Sequence, residues 1–520
     1  MKKFKVHFFA LITSFLYMTF CSMASFLFPI HSRVDQNIFH TLGRGILEGK
    51  VPYRDLFEHK GPLIYFMHAF GALIDDSSFI GIFILEVIFF AVAIYFMYKI
   101  ARLFTGSTPA YLSSIIAGAV CCTTYCFKSG DNAEEYCFTF LIVSLYYLLR
   151  FFKASDKSRL RTDLINYKVI LGNGLLAGCV LWIKFTQLGF WIAWMALIFF
   201  ALVSVKKFSQ AFVSCFVYLG GMALTTIPWL IYFGINNSIS IWFETYFYNN
   251  IFLYSNASGN SGGFLTAVEG FITHDLGRNP LAVVLIAVGV IGFGITKKYF
   301  SSVFGRLSVP VTFLTLYLMT YIGGVRYDYY MLIAVPFVLF GVIYVIDCIR
   351  SMPDMWIMKG YHCLTQKKGK ILPVTLCSIL ILSYVILAAN PFPYYGKSRN
   401  QYPQYIFADI INQTPDASVL NYGFIDGGFY LASGYEPENK FFCKVNIPEE
   451  AFPEMYEEQL SLINEKAVDY VVIRTWKTKS IEKEMKERGV EYETLFENYK
   501  IIKVADDIFE TYRFFLLERK

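Results

Sequence analysis

Arg33-Val34-Asp35-Gln36-Asn37 and, further on, Arg54-Asp55-Leu56-Phe57-Glu58-His59-Lys60-Gly61-Pro62 belong to one polar stretch that follows the first long apolar run of the chain, residues 6–30. The stretch gathers Arg33, Asp35, His40, Arg44, Glu48, Lys50, Arg54, Asp55, Glu58, His59 and Lys60 between two short amphipathic pieces, Ile38 to Leu47 and Pro62 to Ile74. What surrounds it is apolar. Of 520 residues, 56% are hydrophobic and 18% aromatic, above the apolar share of about 45 to 50% in soluble domains. The chain therefore reads as an α-helical polytopic membrane protein. A net charge of +6 would suit an anionic partner, but the cations punctuate the hydrophobic runs and form no patch, so no nucleic-acid partner is expected.

An apolar run of about 17 to 25 residues is long enough to cross a bilayer. Eleven such spans are expected, at 6–30, 77–98, 108–127, 136–152, 168–183, 186–205, 209–234, 280–296, 307–325, 328–347 and 371–389. Met1-Lys2-Lys3-Phe4-Lys5 then lies inside. Alternation puts Lys99 and Arg102, Arg150 to Lys168, Lys206 and Lys207, Lys297 to Arg306 and Arg350 to Lys370 on that same side, as the positive-inside rule requires. Residues 31–76, 128–135, 184–185, 235–279, 326–327 and everything after 390 face outward. The expected setting is the cytoplasmic membrane, multi-pass, with the N-terminus inside and the C-terminal domain outside. The first apolar run exceeds the roughly 7 to 15 residues of a signal-peptide core, so a retained anchor is expected.

Residues 390–520 change character: polar residues return and short apolar strands alternate with helical patterns. The spacing predicts helices over Tyr402 to Gln413, Glu449 to Lys466 and Ser480 to Glu487, and strands over Ser418 to Tyr422, Asp469 to Arg474, Tyr499 to Val504 and Tyr512 to Leu517. The organisation expected is a transmembrane module, 1–389, with outer loops 31–76, 128–135 and 235–279, and an extracytoplasmic α/β domain, 390–520. That domain shows no phosphate-binding Gly loop, zinc spacing or nucleophile motif, and docking an acceptor or forming a lid over the membrane site suits it better than chemistry.

Three further pieces hold ionisable residues at span ends. Lys128-Ser129-Gly130-Asp131-Asn132-Ala133-Glu134-Glu135 adds carboxylates, and Asp131 or Asn132 would also serve as an N-cap. Lys184 sits in the turn Trp182 to Gln187, where a snorkelling lysine is the plain alternative. Arg326 precedes Asp328, with which an ion pair is the plain alternative. His31, His40 and His59 show no metal-ligand spacing, and no cofactor or divalent metal is expected. The eleven cysteines fall mostly in spans, where packing is their role. Gly174-Leu175-Leu176-Ala177-Gly178 reads as close helix packing in a membrane, and Gly43-Arg44-Gly45 carries little signal alone. Trp242, Phe243, Tyr246, Phe247, Tyr248, Phe252 and Tyr254 make the 235–279 loop aromatic enough to stack on a sugar or to sit at the headgroups.

Gly49-Lys50-Val51-Pro52-Tyr53-Arg54-Asp55 and His59-Lys60-Gly61-Pro62-Leu63-Ile64-Tyr65-Phe66 resemble bacterial GT-C glycosyltransferases related to protein O-mannosyltransferases and aminoarabinose (lipid A) transferases. Gly130 to Glu135 resembles that family's Gly-Asn-Thr-Glu-Glu segment, Leu181 to Gln187 its Lys-containing turn, and Gly323 to Tyr330 its arginine and His-Tyr-Tyr segment. Asp328 departs from the pattern, because many relatives have histidine there.

The resemblance implies transfer of a sugar from a polyprenyl-phosphate donor to a surface glycan, lipid or protein acceptor at the outer face of the bilayer. It implies Asp35 as the general base. Fixed cations aimed at the leaving phosphate would stabilise the transition state, and Lys60, Lys184 and Arg326 are the candidates. Arg54, Asp55, Glu58, His59, Asn132, Glu134, Glu135 and Asp328 are expected to position sugar or acceptor. A polytopic transporter or lipid-linked saccharide flippase is the alternative, but those place ionisable groups near the bilayer midplane. Here Glu86 is the clearest mid-span charge.

Overall fold

The computed structural model describes residues 3–155, 160–254, 263–352, 371–479, 481, 483, 492–509 and 511–520. Among them, six helical runs are long and apolar enough to cross a membrane: Ile80–Phe104, Ala133–Ala154, Tyr167–Ser204, Phe208–Ile235, Val303–Tyr321 and Asp328–Arg350. Val6–Cys21, Pro62–Ile74, Pro280–Ile295 and Leu372–Ala388 are apolar but shorter. The count of eleven spans is thus not reproduced by length. Expected spans are shortened where the backbone leaves the helix: the run predicted over 108–127 is helical as Ser107–Thr123, and Thr124 is extended. The run predicted at 328–347 begins as a tight three-residue-per-turn helix, Asp328–Phe337, before the α-helix Val338–Arg350.

Tyr167–Ser204, at 38 residues, would extend about 57 Å as one helix, nearly twice a hydrocarbon core of about 30 Å. It is broken at Lys184, whose backbone is extended (φ −155°, ψ 94°), and by the short turn Phe185–Leu188. The resulting helices, Tyr167–Lys184 and Gly189–Ser204, correspond to the two spans expected there.

The chain divides into two compact units. The first comprises Met1–Ser22, Leu85–Trp229 and Asn260–Phe392. Its helices approach closely where glycines allow it. A Cβ at Gly174 would lie 2.1 Å from the Tyr218 carbonyl oxygen, one at Gly221 2.4 Å from that of Leu171, and one at Gly178 1.8 Å from Thr225 Oγ1. Small residues bring helices together in a membrane, where dispersion contacts must do what water exclusion does elsewhere. The Gly174/Gly178 reading holds.

The second unit comprises Met23–Ile84, Leu230–Gly259 and Pro393–Lys520. The first polar stretch folds into helices Val34–Leu47 and Pro62–Ile74, which pack on each other. Gly43 makes that possible: a Cβ there would sit 2.6 Å from Ala69 N. The C-terminal part is a four-stranded sheet of β1 (Val419–Asn421), β2 (Tyr470–Trp476), β3 (Tyr499–Asp506) and β4 (Tyr512–Arg519), in the order β1-β2-β4-β3. β1 pairs parallel to β2, and the chain between them forms the helix Pro453–Asn464; β4 pairs antiparallel to both β2 and β3. Leu420, Ile463, Val471, Ile473, Leu495, Tyr499 and Leu517 fill its core. The helix expected over 480–487 lies almost wholly outside the described residues.

The same unit ties the first polar stretch to this sheet domain through buried polar contacts. Thr41 Oγ1 donates to Asp426 Oδ2 at 2.6 Å, Arg44 Nη2 pairs with Glu436 Oε1 at 2.7 Å, and Phe57 N donates to the Lys440 carbonyl at 3.0 Å. Phe57 also packs on Phe441 and Phe452. Such contacts hold Val34–Leu47, and with it Asp35, on a rigid support.

Candidate active-site residues

In the first unit the polar segment 128–131 has an unusual backbone. Lys128, Ser129, Gly130 and Asp131 all have positive φ, at 52°, 73°, 85° and 56°. Three of the four carry side chains, for which this region is strained, and strain of this kind gathers at functional sites. Buried contacts hold the segment in place. The Asp131 amide donates to Glu86 Oε1 at 2.8 Å and to Glu135 Oε2 at 2.9 Å; Ser22 Oγ donates to Glu86 Oε2 at 2.6 Å. Gly130 is required here, since a Cβ would lie 2.5 Å from Glu86 Oε1. Burial raises the Asp131 carboxyl well above the usual carboxylate range, partly offset by the hydrogen bond from Tyr136. The capping alternative is not realised. Asn132 occupies the N-cap position of Ala133–Ala154 without a side-chain cap, and its amide donates to the Phe127 and Gly130 carbonyls.

Each candidate cation of this unit has a carboxylate partner. Lys184 Nζ lies 2.5 Å from Glu134 Oε1 and sits 3.4 Å over the Tyr330 ring. The Lys184 break in the helix is what turns this ammonium towards a residue fifty positions away in sequence. Arg326 pairs with Asp275 Oδ2 at 3.1 Å, donates to Tyr317 Oη and the Ala267 carbonyl, and stacks on Tyr321 at 3.9 Å. Asp328 instead takes Lys128 Nζ at 3.0 Å and faces His274 Nε2 at 3.1 Å. The expected Arg326–Asp328 alternative is therefore replaced by Arg326–Asp275 and Lys128–Asp328.

In the second unit Glu58, His59 and Lys60 form a tight group. Glu58 is buried; its Oε2 accepts from the Lys60 amide at 2.7 Å and from Tyr65 Oη, and its Oε1 lies 3.3 Å from Lys60 Nζ. Burial raises the Glu58 pKa, but Lys60, His59 and the hydrogen bonds outweigh it and hold the carboxyl at about 2. Arg54 and Asp55 pair with each other through two 2.7 Å hydrogen bonds near the surface. Asp35 is half-buried in the first turn of Val34–Leu47 and has no hydrogen bond or ion pair among the described residues. His31 and His40 are buried. Among the described residues no group of three or more His, Cys, Asp or Glu side chains has the arrangement of a metal site.

Sequence reasoning passed over Lys128, His274 and Asp275 as site residues. The last two lie in a loop read for its aromatic rings; the signal was a pair of ionisable residues at the mouth of the span that starts at Pro280. In that loop Trp242 and Tyr246 are buried, whereas Phe243, Tyr248 and Phe252 are exposed.

An apolar helical scaffold of this kind, with a small C-terminal sheet domain, has the fold of solved membrane proteins, and the chain is a multi-pass membrane protein. The structure of ArnT from Cupriavidus metallidurans bound to undecaprenyl phosphate matches it with a TM-score of 0.61 at 10% identity, over 98% of this chain and 97% of that one. The archaeal oligosaccharyltransferase AglB from Archaeoglobus fulgidus, in complex with an inhibitory peptide and a dolichol-phosphate, matches with a TM-score of 0.52 at 13% identity, over 90% of this chain and 69% of that one. At these identities the likeness is one of fold. The family model for dolichyl-phosphate-mannose-protein mannosyltransferases matches residues 59–232. No curated protein sequence matches the chain.

Proposed function

We propose that the chain is a membrane glycosyltransferase that moves a sugar from a polyprenyl-phosphate donor to an acceptor at the outer face of the cytoplasmic membrane. One observation carries the reading: nearly the whole chain shares its fold with ArnT, whose structure holds undecaprenyl phosphate. The mannosyltransferase family model over residues 59–232 supports it.

In the proposed reaction the acceptor hydroxyl oxygen bonds to the anomeric carbon as the bond from that carbon to the phosphate oxygen breaks. The hydroxyl proton passes to Asp35, and the sugar's former phosphate leaves as a monoester whose charge rises from about minus one towards minus two. Asp35 suits the role of base because its oxygens are not committed to another described residue. Lys60, Lys184 and Arg326 are the proposed phosphate ligands. A cation held ready by a neighbour needs no reorganisation as charge develops, and Glu58, Glu134 and Asp275 do that holding. Glu135, Asn132 and the Arg54–Asp55 pair are assigned to support and to sugar or acceptor positioning. Asp328 fixes Lys128.

The test is release of polyprenyl phosphate from supplied polyprenyl-phosphate sugars, in membranes carrying wild-type protein or folded Asp35→Asn. Loss of a general base costs about 100-fold or more, so release should fall at least that far. A variant within about threefold of wild type refutes the base assignment, and wild-type membranes that release nothing from any donor count against the transferase reading.

A further inference from the structure

A cavity of about 710 Å³ opens at the end of the first unit where Ala133–Ala154 finishes and Tyr167–Lys184 begins. None of the residues assigned above lines it. Its floor is Trp194, buried and fixed by a 3.0 Å hydrogen bond from Nε1 to the Ser144 carbonyl. Phe151, Val169 and Ile198 give it apolar walls. Its mouth is polar and carries Arg150 and Lys168.

Both cations are exposed, and neither has a hydrogen bond or ion pair among the described residues. That sets them apart from their neighbours. Lys153 is engaged with the Tyr299 carbonyl, and the carboxylate at the mouth, Asp163, is already paired with Arg161 Nη2 at 2.7 Å. The cavity therefore presents two positive charges that no described carboxylate offsets. Asn166 Oδ1 caps the Lys168 amide at 2.9 Å, so the positive end of the Tyr167–Lys184 helix dipole points at the same mouth. Tyr147 and Tyr167 add rings of the kind that settle at the membrane–water interface.

We infer that this cavity binds the headgroup of an anionic phospholipid, with the phosphodiester between Arg150 and Lys168 and the first acyl methylenes against Phe151, Ile198 and Trp194. Two unpaired cations beside apolar walls match a molecule that is anionic at one end and hydrocarbon at the other. Free phosphate would use the cations and leave the walls bare. The alternation expected from the sequence would put this end on the cytoplasmic side, where anionic lipids are concentrated and basic pockets between helices bind them.

The test uses full-length protein in nanodiscs containing phosphatidylglycerol or phosphatidylcholine with brominated chains, which quench nearby tryptophan. The Trp194 contribution is isolated by subtracting Trp194→Phe. Each Lys or Arg near an anionic surface is worth about fivefold, so the pair should favour phosphatidylglycerol by roughly 30-fold at low salt. The Arg150→Gln/Lys168→Gln double variant should lose the preference and Arg150→Lys should keep it. Equal quenching by the two lipids, or a preference that survives in the double variant, overturns the assignment. Reversal of the quench by millimolar inorganic phosphate overturns it in favour of a free-phosphate site.

Discussion

Replacing Glu58 by Gln removes one charge from a buried network while keeping its shape. In the wild-type protein Glu58 Oε1 lies 3.3 Å from Lys60 Nζ and 3.7 Å from His59 Nε2, and Oε2 accepts the Lys60 amide hydrogen at 2.7 Å. Burial alone would raise the carboxyl pKa; its partners overcome that and bring it from 4.5 to about 2. A depression of this size corresponds to about 3 kcal/mol of stabilisation at neutral pH. The sign follows from the direction. A folded-state pKa below the unfolded value gives stability that is fully present above about 4.5 and drains away as the pH falls towards about 2.

The Lys60 amide reports this locally, because it donates to Glu58 Oε2 and to Tyr65 Oη, which itself donates to Glu58, so its hydrogen exchanges when this group opens. By hydrogen–deuterium exchange at pH 7, Glu58→Gln should speed that exchange by about 100-fold, since each 1.4 kcal/mol is about a factor of ten. The gap between variant and wild type should narrow as the pH drops below about 4 and nearly close around 2. A gap smaller than about threefold at neutral pH, or one that widens on acidification, refutes the argument that Glu58 is held ionised by Lys60 and His59.

Lys184→Ala should raise the KM for a polyprenyl-phosphate sugar by about tenfold or more, the loss of one charge-assisted contact; unchanged kinetics there and in Arg326→Ala would remove the phosphate-ligand assignment. Arg326→Lys should fare little better than alanine, because one ammonium cannot reach Asp275, Tyr317 and the Ala267 carbonyl together. Burial lifts the Asp426 carboxyl to about 6 despite its bonds from Thr41, Gly428 and Asn421. Its raised pKa gives stability that is fully present below about 3.8 and is lost as the pH rises to about 6, so Asp426→Asn should flatten the fall in thermal midpoint between about pH 4 and pH 6, and an unchanged pH profile would count against it. Gly174→Ala should lower the thermal midpoint by an amount corresponding to about 1 to 3 kcal/mol, whereas Gly172→Ala, with nothing within 4 Å of its added Cβ, should be neutral or stabilising.

What the sequence disclosed and what it hid have separate physical causes. The strands of the sheet domain were legible to within about two residues because short β-branched and aromatic runs between turn residues have few other ways to bury themselves: β2 was expected over Asp469 to Arg474 and is Tyr470–Trp476. The division at Lys184 was legible too, because a lysine interrupts an apolar run too long for one crossing. Span length was not, since it depends on where helices break. The left-handed run from Lys128 to Asp131 includes three residues with side chains, so nothing in its composition announces it. It is imposed by Glu86 and Glu135, which take the Asp131 amide from other helices.

The counter-ions were the least legible feature, and they change how the cations should be understood. Lys60, Lys184, Arg326 and Lys128 were visible as charges at helix ends; Glu58, Glu134, Asp275 and Asp328 as their respective partners were not, because three of the four pairs join residues distant in sequence. A lone ammonium in so apolar a protein would bear a desolvation cost of several kcal/mol. A carboxylate beside it offsets that cost and fixes the side chain's direction. The same carboxylate also weakens the field that an arriving phosphate would feel, so tight ground-state binding is not what such a pair favours. As the leaving phosphate gains its second negative charge, the balance between the fixed carboxylate and the phosphate shifts towards the phosphate. On this reading each carboxylate costs affinity for the donor but holds its cation in the direction the leaving group needs, and Glu134→Gln should lower the KM for donor while lowering kcat through the lost positioning of Lys184; a kcat that rises instead would show Glu134 to be a simple inhibitor of Lys184.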